Sequence, residues 1–182
     1  MICFKNYKFI FLFVVNCITT YVFSDELNKK AQQDKDFFII DSIYAKLHDG
    51  FSLTVKKQKE FIGSPADATY GEITYRGAKE LFADLNLGPN DIFYDLGSGV
   101  GKMIVQAYLT TSAKKVVGIE LSSLRAQQAD KALVAMKKRG LLSSAKQINF
   151  IEGDFLKQSL DDATVIYICN TTFSKKLMTN IS

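Results

Sequence analysis

The sequence predicts an α/β fold, a parallel sheet with helices on both faces, and three observations predict it. An apolar run from Ile92 to Leu96 ends at three glycines on alternate positions, Gly97, Gly99 and Gly101, and passes into the helical-looking stretch 103–109; that is strand, tight turn, helix. Three more runs of strand character, 115–120, 147–154 and 164–170, follow at intervals that leave room for crossovers. The first three strands each reach an acid at their end, Asp95, Glu120 and Asp154. Strands alternating with helices make a parallel sheet, and ligands collect at its carboxyl ends.

The 182 residues allow one domain of ordinary size plus an N-terminal extension, and 47% apolar with 23% charged residues is globular composition. A net charge of +4 is mild and predicts no strong nucleic-acid patch. Cys3, Cys17 and Cys169 lie far apart with no C-x-x-C, which indicates neither a disulfide framework nor a zinc site, so no metal is expected.

Residues 1–24 differ from the rest. Lys5 and Lys8 precede an uncharged run from Phe9 to Phe23. That run is short for a spanning helix, which needs about 20 residues, and suits the apolar region of a signal peptide. The expectation is a signal peptide cleaved after Ser24, with an uncleaved membrane anchor or a core strand as alternatives; membrane contact is confined to residues 9–23. Residues 25–62 form an N-terminal helical segment, with Leu27, Ala31, Phe38, Ile39, Ile43 and Leu47 roughly on one face and Asp49-Gly50 ending the helix. His48, the sole histidine, reads as a surface or capping residue.

Residues 63–182 make the ligand-binding domain. A Gly- and Pro-containing loop, 63–72, precedes an amphipathic helix over 73–87 that stops at Gly88-Pro89. This order puts Tyr70-Gly71-Glu72 one helix upstream of the glycine turn, as a lid. At the turn the glycines remove side chains that would hold a ligand away, and the helix start offers N–H donors. A phosphate-binding P-loop is excluded, because Leu96 and Met103 stand where Gly and Ser or Thr are required. The dinucleotide fingerprint is weakened by Lys102 at its third small position. The Asp-x-Gly-x-Gly-x-Gly form resembles motif I of the class I S-adenosylmethionine methyltransferases.

Further along, Glu120 can accept hydrogen bonds from both hydroxyls of a ribose. Ser122 or Ser123 caps the next helix, whose Leu124, Ala129, Ala132, Leu133 and Met136 face the sheet, and Lys137-Lys138-Arg139 complement its C-terminal dipole and face solvent. Asp154 can accept from an adenine amine, with Phe155 covering the ring.

Taken together, Tyr70-Gly-Glu, Asp95-Leu-Gly-Ser-Gly-Val-Gly, Gly118-Ile-Glu, Gly153-Asp-Phe-Leu and the string from Val165 to Phe173 resemble the disruptor-of-telomeric-silencing family of non-SET histone lysine methyltransferases, over residues 64–177. The resemblance implies a Rossmann-like class I methyltransferase sheet, S-adenosylmethionine as cofactor and a protein lysine as substrate. It implies that Tyr70, Gly71, Glu72 and Thr74 form a lid on the methionine part of the cofactor. Phe93, Asp95, Gly97, Ser98, Gly99, Gly101 and Lys102 would line it, Glu120 would hold the ribose, and Asp154 and Phe155 the adenine. The catalytic Asn of the family falls on Cys169 in the ungapped match, with Asn170 beside it, and Lys102 stands where animal members carry Gln. Class I methyltransferases have seven strands, so a sheet ending after the fourth predicts a C-terminally incomplete chain with an exposed edge. A non-catalytic cofactor-binding module, a small-molecule methyltransferase and a nicotinamide enzyme are the alternatives. Because the cofactor is made in cytosol, an exported enzyme would act only after delivery to another cytosol.

Overall fold

A computed structural model of the chain describes residues 8–9, 35–47, 50–51 and 71–169. In chain order the elements are β1 (Lys8–Phe9), α1 (Lys35–Tyr44), α2 (Tyr75–Leu85), β2 (Ile92–Leu96), α3 (Lys102–Thr110), β3 (Lys115–Glu120), α4 (Ser123–Lys138), β4 (Gln147–Glu152), a 3-10 turn (Phe155–Lys157) and β5 (Val165–Ile168). Every strand pairing is parallel, in the order β1-β5-β2-β3-β4. The chain steps outward from β2 through β3 to β4, then returns to lay β5 on the other side of β2. This reversal leaves a crevice between β2 and β5 at the carboxyl edge, where open α/β sheets bind ligands.

The two faces of the sheet are sorted by the alternation of its strands. Phe93, Val116, Val165 and Tyr167 point to one face, where Ile40, Ile43 and Tyr44 of α1, Ala78, Leu81 and Phe82 of α2, Ile104 and Ala107 of α3, and Ala132 and Met136 of α4 complete a core. Tyr94, Leu96, Val117, Ile119, Ile166 and Ile168 point to the other. Among the described residues that second face is covered by the 3-10 turn and the stretch through Leu160 and Ala163, in the place where a helix was expected.

The helix ends follow local chemistry. Thr74 caps α2, accepting from the Gly77 N–H at 3.1 Å. The helix stops at Asn86, φ 47°, two residues before the expected Gly88-Pro89; Asn tolerates the left-handed conformation that ends a helix. Within the expected 25–50 helix, the described part is helical from Lys35 to Tyr44 and continues as a turn, with Leu47 N–H donating to the Tyr44 carbonyl at 2.9 Å. Residues 25–34 and His48 lie outside the described residues. Ser122 stands at the N-cap of α4 but its hydroxyl makes no capping bond; the Ser122 N–H is turned to Glu120 instead. Arg139 is exposed, as expected, and also donates from Nη2 to the Ser42 carbonyl at 2.8 Å, which ties α4 to α1.

β1 lies in the segment for which a leader, an anchor and a core strand were the expectations. Lys8 pairs with Val165 and Phe9 with Ile166, so the segment read as a leader or anchor supplies an edge strand and the outer edge of β5 is occupied. An unpaired edge presents a row of N–H and C=O groups that accepts such a strand. The rest of residues 1–24 lies outside the described residues, and among those described no helix is long and apolar enough to cross a membrane.

Candidate active site at the carboxyl edge

The glycine turn is held from beneath. Gly97 and Ser98 N–H both donate to the Ile119 carbonyl, at 2.8 and 3.0 Å, which folds the turn back onto the end of β3. Gly97, Gly99 and Gly101 have φ of 88°, 57° and 84°, a region that L side chains rarely adopt. Gly118 makes this seat possible: a Cβ there would stand 2.6 Å from Ser98 Oγ. Glycine inside a strand signals such close approach.

Glu120 is buried and spans two turns, Oε2 accepting from Gly99 N–H and Oε1 from Ser122 N–H, each at 2.8 Å. It sits at the end of β3, in register with Glu152 of β4, and its carbonyl accepts from Gly153 N–H at 2.8 Å. Asp154 follows at the end of the neighbouring strand, with Oδ1 accepting from Leu156 N–H at 3.0 Å and Oδ2 lying 3.7 Å from the Lys157 ammonium. Phe155 opens the 3-10 turn and packs, half-buried, against the second core.

Asp95 ends up differently. It is 4% exposed, and the described residues supply its carboxylate with no hydrogen-bond donor. Burial, and then the charge of Glu120, push its pKa up to about 8. Opposite it in the β2–β5 register stands Tyr167, whose hydroxyl is held well above its ordinary pKa by burial and then by Asp95.

A cavity of about 40 Å³ lies against these groups, lined by Gly71, Glu72, Ile73, Asp95, Gly97, Ser98, Lys102, Met103, Tyr167 and Cys169. Six of the residues expected to bind cofactor therefore converge here, with Cys169 of the expected catalytic pair. Lys102 Nζ meets Glu72 Oε2 at 2.6 Å across the mouth, which docks the 71–73 segment onto the start of α3. Gly99, Gly101, Glu120, Asp154 and Phe155 do not line this cavity and stand along the same edge. Thr74 lines the neighbouring cavity. Tyr70 and Asn170 lie outside the described residues. Phe93 is corrected: it is fully buried, edge-on to Phe82 with ring centres 5.6 Å apart, and faces the core. The structure adds Ile73, Met103 and Tyr167. Tyr167 was legible as the residue two before Cys169, which shares its strand face.

The donor set fits S-adenosylmethionine. Carboxylates at three strand ends suit a cationic ligand with hydroxyls and an exocyclic amine, and the buried hydroxyl of Ser98 has no partner among the described residues. Among the described residues no cluster of His, Cys, Asp and Glu could hold a metal ion.

The family model for histone methylation protein DOT1 matches residues 52–182, which take in the glycine turn, all three acids and β5. The chain belongs to this family. Two relatives of the DOT1 family carry the name histone-lysine N-methyltransferase, H3 lysine-79 specific. The protein from Caenorhabditis elegans is 37% identical over 122 residues, covering 63% of this chain and 13% of its own length. That from Debaryomyces hansenii is 30% identical over 152 residues, covering 79% and 12%. The chain thus spans a small part of these relatives. Among solved structures, an RNA methyltransferase from Salinibacter ruber in complex with S-adenosyl-L-homocysteine is 27% identical with a TM-score of 0.44, covering 54% of this chain and 60% of that one.

Proposed function

We propose that the chain is an S-adenosylmethionine-dependent methyltransferase that acts on a protein lysine. The observation that carries this reading is the convergence of Asp95, Glu72, Lys102 and Tyr167 on one cavity at the β2–β5 crevice, with Glu120 and Asp154 at the next two strand ends. Membership of the DOT1 family supports the lysine. When bound, the cofactor supplies an electrophilic methyl group on a cationic sulfur, so no covalent enzyme intermediate is needed. The chain's own task is to hold donor and amine in line, to exclude water, and to keep the incoming amine neutral, which burial favours. Asp95 would face the cationic end, Glu120 the ribose, and Asp154 the adenine amine. Asn170, next to the cavity-lining Cys169, would bear on the amine.

Calorimetry with S-adenosylhomocysteine, paired with transfer of labelled methyl to histone H3 and to mixed histones, tests the reading. Binding with transfer to protein is expected. Cys169 at the position of the family's Asn favours one second reading, a module that binds cofactor without transferring methyl; binding with no transfer to any protein would establish it. Transfer to metabolites alone would redirect the substrate to small molecules.

The leader is a separate proposal. Lys5 and Lys8 before the uncharged run 9–23 support export with cleavage after Ser24, whereas the pairing of Lys8 and Phe9 with β5 requires that segment to stay. The intact mass of the protein recovered from its native host decides between them.

A further inference from the structure

A cavity of about 300 Å³ lies between α1, the start of α2 and α3. One wall, through Glu72, Ile73, Lys102 and Met103, is shared with the cavity beside Asp95. The others are its own, among them Phe37, Ile40, Asp41 and Tyr44 of α1, Tyr75 of α2 and Gln106 of α3. Three of these residues are aromatic. Phe37 and Tyr75 stand edge to face, with ring centres 5.3 Å apart and planes 71° to one another, so they border the space in two planes. Tyr44 is fixed by its hydroxyl, which donates to the Val100 carbonyl at 3.0 Å, and its ring already has an ammonium near it, Lys102 Nζ at 5.6 Å from the centre. The polar part of the lining is biased toward cations. Gln106 donates from its amide to the Tyr75 carbonyl at 2.7 Å, and the Lys102 ammonium is engaged by Glu72 at 2.6 Å. Two acids, Asp41 and Glu72, stand against one lysine, so the lining is net negative. Asp41 is exposed, and among the described residues its carboxylate has no partner.

We propose that this cavity binds an alkylated ammonium group, the head of a methylated lysine side chain, with Phe37, Tyr44 and Tyr75 as its walls and Asp41 as the counter-ion. The site goes beyond the proposed function and shares with it only the choice of lysine as the bearer. Aromatic faces attract a cation through the ring quadrupole, and most strongly when water is excluded. A bare ε-ammonium is compact and strongly hydrated, so it gives up much on entering an apolar box. Methylation spreads the charge under an apolar surface, which lowers that cost while the attraction to the rings remains. The volume is at the lower end of the range for ligand pockets, about 300–1,000 Å³, with room for a branched head group. An anion is disfavoured, because the lining is net negative and its lysine is already paired. One wall away from the cofactor cleft, a bound methyl-lysine would retain a protein that has been methylated once while another of its lysines is presented.

The test is calorimetric titration of the full chain with a short peptide carrying one trimethyllysine, with the same peptide unmodified, and with a version in which a neutral tert-butyl group replaces the trimethylammonium. The trimethyllysine peptide is expected to bind more tightly than the neutral isostere by about 5- to 30-fold, the range of a partly to fully desolvated cation–π contact, and more tightly than the unmodified peptide. Phe37→Leu keeps an apolar side chain and removes a ring, and should erase most of that preference. Asp41→Asn, at an exposed position, should weaken the trimethyllysine peptide by about two- to fivefold and serves as the independent variant should Phe37→Leu fail to fold. Neither variant should change the affinity for S-adenosylhomocysteine, and saturating S-adenosylhomocysteine should not displace the peptide. Choline, titrated in parallel, separates the sources: choline binding that both variants weaken, with no binding of the peptide, would uphold the cation site and overturn its protein source. Equal affinity for the trimethyllysine peptide and its neutral isostere, or displacement by S-adenosylhomocysteine, would overturn the site. A protein that transfers methyl to lysine and binds neither trimethyllysine peptide nor choline would overturn this inference and leave the proposed function standing.

Discussion

Asp95 makes the stability of the ligand-free protein depend on pH in the direction opposite to most carboxylates. Its pKa, raised from 3.8 to about 8 by burial and by Glu120, means that the folded chain holds a proton which the unfolded chain has released anywhere between about pH 4 and pH 8. Stability from this group is therefore complete below the unfolded pKa and is lost as pH rises through the folded one. From pH 6 to pH 8 the linkage relation gives a loss of about 2 kcal/mol, or about 4–8 °C in melting temperature for a chain of this size. Asp95→Asn cannot ionise and should lack this fall. Thermal melts of both proteins at pH 6, 7 and 8, taken as differences so that other groups cancel, measure the effect. A cationic ligand set against Asp95 should draw the proton off, so that binding of S-adenosylmethionine at pH 7 releases close to one proton, seen as a dependence of the calorimetric heat on the ionisation enthalpy of the buffer. Parallel melting curves for wild type and Asp95→Asn across this range would refute the reasoning, because the carboxyl would then be titrating at its ordinary value.

Three further outcomes follow from the packing of the turn. Gly118→Ala places a methyl group 2.6 Å from Ser98 Oγ and 3.0 Å from Phe150 Cδ1 and should destabilise by about 1–3 kcal/mol as an overpacked site, read by chemical denaturation, with weaker cofactor binding because the glycine turn is lifted. Glu120→Ala strands the N–H groups of Gly99 and Ser122 and should cost about 2–4 kcal/mol, whereas Glu120→Gln keeps an acceptor and should recover part of the stability; neither variant should gain thermal stability from S-adenosylhomocysteine at concentrations that stabilise the wild type. Tyr44→Phe loses the bond to the Val100 carbonyl and should cost about 1 kcal/mol, measured by the same denaturation.

The parts of the site that the sequence disclosed are those built by one continuous stretch of chain. The strand-turn-helix from Ile92 to Leu109, the acid that ends β3 and the acid after β4 each follow from local periodicity and from glycines in a left-handed conformation. Contacts fixed by register between distant segments left no such trace. Tyr167 reaches Asp95 because β5 returns to the inner edge of β2 after two crossovers, Lys102 meets Glu72 across an intervening helix and strand, and Arg139 reaches Ser42 from the far end of α4. Phe93 was placed at the cofactor by the family resemblance, and it does share the strand face of Asp95. Near the start of the strand, however, that face is core: Phe93 packs with Phe82 and Tyr167, and only at Asp95 does it open to the cavity. For residues 1–24 local reading left leader, anchor and core strand open, since an uncharged run after two lysines has the same composition in each; the pairing of Lys8 and Phe9 with β5 depends on residues more than 150 positions away.

The three acids along this edge are not equivalent, and the difference locates the stored electrostatic cost. The carboxylate of Glu120 is stabilised by two backbone N–H donors, and that of Asp154 by one N–H and a nearby lysine. Asp95 has the least exposure of the three and no donor among the described residues, so it keeps its proton until a cation arrives. A buried acid with its pKa near 8 favours a ligand that brings positive charge to it. A neutral nucleoside does not meet that demand, because it would leave Asp95 protonated. Selectivity for a charged nucleoside therefore arises from what the cleft lacks when empty as much as from the contacts it offers. Replacing Asp95 by Asn should accordingly flatten the difference in affinity between S-adenosylmethionine and 5′-methylthioadenosine at pH 8, where the wild-type carboxyl is about half ionised, and change it far less at pH 6, where that carboxyl is already neutral.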